Sequence, residues 1–550
     1  MNIAEELQKL VGEGAKLEHP TDLTHGDYSC FAKGSAAELA AKINLQLQNV
    51  QYPVLNKIAK VEVVGGFVNF HLAPKFFAQS IAEVIKEKNN YGHSKKLASQ
   101  KTVVEYTDPN PFKEFHIGHL MSNTIGEAIS RLIESQGAEV KRACYQGDVG
   151  LHVAKAIWGA RFHPDGELNT PHPIQDYPAA FSWGRAYACG AKAYEEDENA
   201  KTKILEINKK IYSREDNEIN HIYDVGRKVC LEMFEIDYAR LGTKFDFYFF
   251  ESQTGEFGKK VVEEGLAKGV FEKSDGAIIF RGNEKEGLHT RVFINSDGLP
   301  TYEAKELGLA KIKYDTYPYD KSVVVTGNEI NAYFQVLLKV MSLMFPELAT
   351  KTKHLSHGML RLPIGKMSSR TGDVITAESL LTSIHEKLGE RGSDEIAVAA
   401  LKYSILRQSP GKDIIFDFEK SLSFEGDSGP YLQYTCVRAK SVLAKATSPE
   451  KSFLGSSETI PGPLKNLSPA SVERLLYRFP EIVERAAGDF APNYLVTYLT
   501  DLASAFNSYY AANKIIGSEE EAYRLALTAA VAQVLENGLN LLGIKVPARM

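Results

Sequence analysis

The chain has 550 residues, 44% hydrophobic and 24% charged, with a formal net charge of -6 at pH 7. That length exceeds what a single hydrophobic core organises and predicts two to four domains. The acidic balance excludes a global basic field, so a nucleic-acid partner needs a local patch; five scattered cysteines with no C-x-x-C pair argue against a structural zinc site and a disulfide framework.

The opening MNIAEELQKL is amphipathic and of mixed charge, unlike a signal peptide. No apolar run reaches the roughly 18–20 residues that a membrane span needs. A cytoplasmic, reducing location without a membrane is expected. Residues 1–95 read as a small α+β unit. AAELAAKINLQLQ has helical spacing, VEVVGGFVNFHL reads as two strands around Gly65-Gly66, and FFAQSIAEVIKEK reads as a helix leading to a polar linker.

A different texture begins at Thr102. TVVEYTDPN is a β-rich run ending in a Pro-Asn-Pro turn. The helix after it carries Ile125, Ile129, Leu132 and Ile133 on one face, and EVKRACYQGDVG reads as a second strand. Strand, turn, helix, strand is the opening unit of a parallel α/β fold. Residues 158–250 are charged and helical and read as an insertion. GAIIFRG, RVFINSDG and KSVVVTGN carry further strand signals, each followed by helix-like sequence. The whole of 100–380 is expected to be one nucleotide-fold domain. From about 385 to 550 the spacing is helical throughout and predicts a helix bundle. SPEKSFLGSSETIPGPLKNLSP reads as a loop within it.

Two stretches carry chemistry. PNPFKEFHIGHL, 109–120, lies between a strand and a helix, where parallel α/β sheets bind ligands. His116 and His119 share one face of the first helical turn, and Gly118 leaves room for a close approach. The helix N-terminus offers free N–H groups and positive potential to a phosphate, and neutral imidazoles can donate there as well. The pair alone also fits two surface histidines; a zinc site lacks other ligands nearby. The second stretch is GKMSSRTG, 365–372, in which Lys366 and Arg370 flank two serines. It reads either as a polyphosphate loop or as an ordinary polar turn.

As a set, these residues resemble the H-I-G-H motif and the K-M-S-K-S loop of class I aminoacyl-tRNA synthetases, in the family's order and about 250 residues apart. Other fragments narrow the resemblance to arginyl-tRNA synthetases. GDYS at 26–29 and GGFVNFHL at 65–72 look like that family's N-terminal tRNA-contacting domain. VEYTDPN resembles its strand before H-I-G-H. GDVG at 147–150 is similar to its Asp-Trp-Gly segment, with Val149 for the tryptophan. SDGLPTYEAKELGLAK resembles its Asp-Gly…Tyr-x-Thr-Arg-Asp-Leu motif. GPYLQYTCVRA and the terminal LLGIKVPARM look like parts of its helical anticodon-binding domain.

The resemblance implies a Rossmann-like nucleotide-binding α/β catalytic domain over 100–380, interrupted by the helical insertion. An N-terminal α+β tRNA-contacting domain (1–95) and a C-terminal all-α anticodon-binding bundle (385–550) complete the fold. It implies an arginine–tRNA ligase acting on L-arginine, ATP and tRNA(Arg), with Mg²⁺ arriving with ATP, no zinc or other resident metal, and a monomeric state. On phosphate and ribose it implies His116, Gly118 and His119; on the polyphosphate, the loop residues Lys366, Met367, Ser368, Ser369 and Arg370. Glu105 and Asn110 match residues that hold the amino acid's charged groups. Tyr302 and Glu306, four apart on one helix face, match the Tyr and Asp that recognise the guanidinium, which needs carboxylates and a hydrogen-bonding partner. Glu306 is one methylene longer than the family's aspartate. Asn328 and Glu329 could touch substrate or simply cap a helix. Tyr431, Tyr434, Asn507 and Tyr510 are candidates for tRNA contact by their place in motif-like segments, although tyrosines in bundles are more often core.

Ser369 stands where the full loop pattern has a lysine. Arginyl members lacking that lysine typically carry one in an Asn-x-x-Lys-x-x-His arrangement, which Asn110, Lys113 and His116 reproduce. Lys113 is therefore expected to supply the missing cation. Other class I synthetases, a small-molecule nucleotidyltransferase and a non-catalytic tRNA-binding relative are the alternatives. The two histidines, Lys366, Arg370 and the long helical C-terminal part weigh against them.

Overall fold

The computed structural model describes residues 3–12, 15–32, 34–47, 57–162, 183–361, 375–389, 392–446 and 470–550. They form two compact units, one of Lys95–Ser421 and one combining Met1–Ser94 with Leu422–Met550.

The middle unit is built on a five-stranded sheet: β1 (Lys101–Glu105), β2 (Glu139–Gln146), β3 (Phe247–Phe250), β4 (Lys321–Gly327) and β5 (Thr352–His357). Its order is β5-β4-β1-β2-β3 and every pairing is parallel. Val103, Val104, Ala143, Val323 and Val325 are buried along it, as a parallel sheet covered on both faces requires. Strand order reverses beside β1, where the chain leaves toward β2 on one side and β4 lies on the other. The crevice beyond the carboxyl ends of β1 and β4 is thus the place where such sheets hold ligands. Helix α1 (Ile117–Ser135) follows β1. It lies so close to the strand's end that a Cβ on Gly126 would sit 2.2 Å from the Tyr106 ring.

Between β2 and β3 run the helices Leu151–Phe162, Trp183–Glu196, Glu198–Ser213 and α2 (Asn217–Leu241). They share a core of Val153, Ile157, Trp183, Ile204, Ile222 and Phe112. Helix α3 (Glu251–Ala267) follows β3, and α4 (Tyr302–Thr316) precedes β4.

Two sequence expectations need correction. GAIIFRG and RVFINSDG do form strands, Ala277–Phe280 and Arg291–Ile294, but not in the parallel sheet. With Glu272–Ser274 they make a separate antiparallel sheet. The cause is local: Asp275 and Gly276 both have positive φ (48° and 81°), the two-residue hairpin geometry that folds a strand directly back. The helices Ala377–Leu388 and Asp394–Leu406 belong to this middle unit rather than opening the C-terminal bundle near 385. Lys402, fully buried, donates to the Leu241 carbonyl at 2.6 Å, and Arg240 pairs with Asp394.

In the other unit, strands Tyr28–Phe31, Ile58–Val64 and Phe67–Leu72 form most of a four-stranded antiparallel sheet with helices around it. The long C-terminal helices are Gly429–Lys445, Phe479–Asp489, Pro492–Ala512 and Glu521–Leu541. A short helix, Ser471–Leu476, ends at Tyr477–Arg478. Pro480 opens the next helix, where its missing N–H costs nothing. Buried Asp27 ties the two ends of the chain: it accepts from the Leu72 N–H at 2.8 Å and from Arg474 at 2.6 Å. The expected loop over 448–469 lies outside the described residues.

Candidate active site

The segment from Tyr106 to His116 joins β1 to α1 under strain. Thr107, Asp108 and Phe112 all have positive φ (82°, 47° and 70°). Such conformations in non-glycine residues cost on the order of 1–3 kcal/mol each and persist only where neighbours over-determine them. Here the neighbours are explicit. Thr107 N–H donates to Ser122 Oγ at 3.0 Å and its hydroxyl accepts from Asn123. Asp108 accepts from the Tyr145 N–H at 2.7 Å, and Phe112 N–H points at Cys230 Sγ.

His116 is the N-cap of α1. Its Nδ1 accepts from Gly118 N–H at 3.1 Å, while its own N–H donates to His119 Nδ1 at 3.3 Å. The two rings stack with centroids 3.6 Å apart. Both Nδ1 atoms are acceptors, so each neutral ring carries its proton on Nε2 and remains a donor there. Burial, with Lys113 adding to it, depresses the His116 pKa; burial, His116 and Lys113 push His119 well below the ordinary value. A Cβ on Gly118 would stand 2.9 Å from the His116 ring, so the ring itself requires this glycine. The pair is no surface accident, because His119 is 6% exposed.

Lys113 is half-buried with its Nζ 4.9 Å over the Tyr187 ring. Burial and the repulsion of Lys155 lower its pKa, and Glu251 opposes them. Lys366, Met367, Ser368, Ser369 and Arg370 lie outside the described residues. The chain just after them is anchored on the H-I-G-H segment: Ile117 N–H donates to the Ile375 carbonyl and Ala377 N–H to the Phe115 carbonyl.

On the other side of the switch point, Glu105 is 1% exposed and accepts from Lys313 Nζ at 2.6 Å. It is therefore not an exposed strand-end charge. Lys313 lies on α4, the helix that begins at Tyr302 and carries Glu306. Burial and the neighbouring Glu105 raise the Glu306 carboxyl well above its usual range, and Asp108 is raised by the same two causes. Tyr302 is 57% exposed at the helix start, with Lys305 Nζ 5.4 Å from its ring centre. Asn110 faces the turn after β2, where a Cβ on Gly147 would sit 2.2 Å from its Oδ1. Asn328 and Glu329 form a short turn after β4. They do not cap the following helix, whose N-cap is Ile330.

Nothing in the spacing of the sequence marks Glu251 or Lys305 as a pair. They meet at 2.6 Å, both buried, with Tyr212 of the insertion 3.3 Å from the same ammonium. Burial works against the Lys305 charge, but Glu251 and Tyr212 overcome it and hold the pKa above its ordinary value. A cavity of about 820 Å³ has Tyr212, Glu251 and Pro300 in its wall.

The four tRNA candidates also meet, in the other unit, around an unpredicted fifth residue. Asn507 donates to Tyr431 Oη at 3.0 Å and to Thr435 Oγ1 at 2.9 Å, and accepts from Arg438 at 2.7 Å. The Arg438 guanidinium lies 4.6 Å from the Tyr434 ring centre and 5.6 Å from that of Tyr510. The i,i+4 spacing of Tyr434 and Arg438 was the available signal.

The family model described as "tRNA synthetases class I (R), catalytic domain" matches residues 80–418, and that of the DALR anticodon binding domain matches 432–550. The arginine–tRNA ligase of Treponema denticola is 31% identical, with 98% of this chain and 95% of that protein covered. That of Amoebophilus asiaticus is 32% identical over 90% of this chain and 88% of its own length. Among solved structures, the Thermus thermophilus arginyl-tRNA synthetase superposes with a TM-score of 0.73 at 23% identity, covering all of this chain and 98% of its own, which establishes the shared fold. A strained turn with stacked histidines at the switch point, a parallel sheet carrying it and relatives aligned nearly end to end agree, and the chain belongs to the arginyl-tRNA synthetases of class I.

Proposed function

We propose that the chain is an arginine–tRNA ligase that first forms arginyl-adenylate and then charges tRNA(Arg). The observation that carries this reading is the pair of neutral, stacked histidines at the α1 N-terminus. They cap the helix that follows β1, at the crevice beyond β1 and β4, and Glu105, Asp108 and Glu306 form an acidic cluster on the same β1–turn segment and on α4. One end of that crevice suits phosphate; the other suits a guanidinium, which is always charged and presents a planar fork of donors.

In the first step an arginine carboxylate oxygen attacks the α-phosphorus of ATP, the bond to the bridging oxygen breaks, and pyrophosphate leaves. In the second, a ribose hydroxyl at the tRNA 3′ end attacks the acyl carbon, loses its proton, and AMP leaves. Neither step needs a protein nucleophile; the protein contributes positioning and stabilisation of charge on phosphate oxygens. His116 and His119 donate through Nε2 without titrating. Lys113 supplies a cation in the place left by Ser369, together with Lys366 and Arg370 of the loop. Asn110 and Glu105 bear on the amino acid's charged groups, and Tyr302 and Glu306 on its guanidinium. Asn328 and Glu329, at the end of β4, flank the amino acid. Mg²⁺ accompanies ATP, and no resident zinc is required. The reaction belongs to translation in the cytoplasm; no described helix is long and apolar enough to cross a membrane. The enzyme acts as a monomer on this reading.

Arg438, Tyr434 and Tyr510 form the anticodon contact. Asn507 serves them as a positioning residue, since its amide is already bonded on both sides. Charging of purified tRNA with each amino acid in turn tests the whole. Arginine alone should be accepted, because a site built around buried polar groups rejects analogues that leave them unpaired. Charging with another amino acid, or none, overturns it.

A further inference from the structure

Two lysines feel the Glu251 carboxylate, Lys305 in direct contact and Lys113 without an ion pair among the described residues, and the structure treats them differently. Lys305 is neutralised by Glu251. Lys113 has no carboxylate or carbonyl partner for its ammonium among the described residues; what lies beneath it is the face of Tyr187. Tyr187 belongs to the insertion helix Trp183–Glu196, and that helix is fitted along the strained turn. Trp183 packs edge-on against Phe112 with centroids 4.9 Å apart. Gly184 lies under Glu114 so closely that a Cβ there would be 2.2 Å from Glu114 Cγ. Tyr187, one helical turn beyond Trp183, then falls below Lys113.

An aromatic face attracts an ammonium without cancelling its charge. A carboxylate in the same place would hold the lysine but neutralise it before a phosphate arrived. We infer that Tyr187 is a positioning residue for adenylate formation, holding the Lys113 ammonium over the phosphate end of the crevice while leaving its charge and its three donors free for the polyphosphate. The helical insertion thereby takes part in the first chemical step. This rests on the role given to Lys113 above.

Arginine-dependent ATP–pyrophosphate exchange, run with tRNA(Arg) present alongside thermal unfolding, tests the inference. Tyr187→Leu should lower kcat about tenfold, the range a partly desolvated cation–π contact spans, with KM for arginine within about twofold of wild type by the same argument. Tyr187→Phe, which keeps the face, should restore most of the rate. In a Lys113→Met background Tyr187→Leu should add no further loss. Replacing Tyr187 by phenylalanines of increasing fluorination keeps the shape but weakens the face, and kcat should fall stepwise; this series decides the matter if the leucine variant folds poorly. A flat fluorination series, a Tyr187→Leu rate equal to wild type, or an equal extra loss in the Lys113→Met background overturns the inference. If Lys113→Met itself exchanges at the wild-type rate, the role of Lys113 fails. A slow Lys113→Met with a normal Tyr187→Leu removes Tyr187 alone.

Discussion

Lys313 lies 2.6 Å from Glu105, and both side chains are almost wholly buried where the sheet's first strand ends. The pair joins β1 to α4, so the strand under the strained turn and the helix bearing Tyr302 and Glu306 are held in one register. Burial opposes the Lys313 charge and Glu105 overcomes it, leaving the lysine pKa raised. Lys313→Met should therefore destabilise the chain by about 3–5 kcal/mol, because it strands a buried carboxylate. Denaturant unfolding measures this, and adding Glu105→Gln should recover part of the loss.

Glu306 gives a pH signature. Its carboxyl is held protonated above the usual range by burial and by Glu105, with Asp108 and Glu251 adding to the effect and Lys313 opposing it. A guanidinium binds the ionised form, so binding must release a proton. Arginine affinity should rise with pH as this raised carboxyl ionises, while KM for ATP stays level. Calorimetry in buffers of different ionisation enthalpy should register the released proton; a buffer-independent heat would contradict it.

Lys113→Ala should depress adenylate formation by roughly 10²-fold, the usual cost of losing one transition-state charge contact. Ser369→Lys in the same chain should restore part of it, since a flexible ammonium needs only to reach the phosphates. Pyrophosphate-exchange rates of the single and double variants decide this.

Buried His152 and half-buried His354 should stay neutral in the folded chain. Burial, with Lys113 beside it, takes His152 down to about 3; burial and His357 take His354 to about 4. The unfolded chain takes up protons near 6.5 and these rings do not, so each withdraws stability as pH falls below about 6.5. Histidine NMR signals assigned to the two rings should not titrate between pH 5 and 8.

Arg438→Lys keeps the charge but loses the planar fork between two tyrosines, and is not conservative there. KM for tRNA(Arg) should rise about tenfold while KM for arginine is unchanged, given ≈ 1–3 kcal/mol per stacked base contact. Aminoacylation kinetics over a range of tRNA concentrations check it.

What the sequence made legible was local and periodic. The β1–turn–α1 unit, the helical insertion and the long C-terminal helices all follow from spacing and from Pro and Gly. The order of β4 beside β1 does not, because strand pairing is non-local. Asp275-Gly276 was a readable hairpin signal that the neighbouring strand pattern obscured. In the site, His116 and His119 announced themselves by sharing a helix face. Glu251 and Lys305 are 54 positions apart, and Glu105 and Lys313 are 208 apart. A buried ion pair leaves no mark in a sequence beyond an ordinary charged residue. Tyr187 escaped for a similar reason: its face under Lys113 is visible only once the insertion helix has docked on the strained turn.

Asp27 and Arg474 meet although some 330 residues of another unit separate the two stretches they join. On a ribosome residues 1–94 emerge before the middle unit, and the helices they pack on only after it. At ~5–20 residues per second the partner ring of Tyr477 is absent for roughly 20–80 s. During that interval Phe76, Phe77 and the sheet's inner face must remain soluble without the Tyr477 ring that later covers them. The middle unit can complete its own core meanwhile, so the two stretches of the other unit close on each other only after the segment between them has been made.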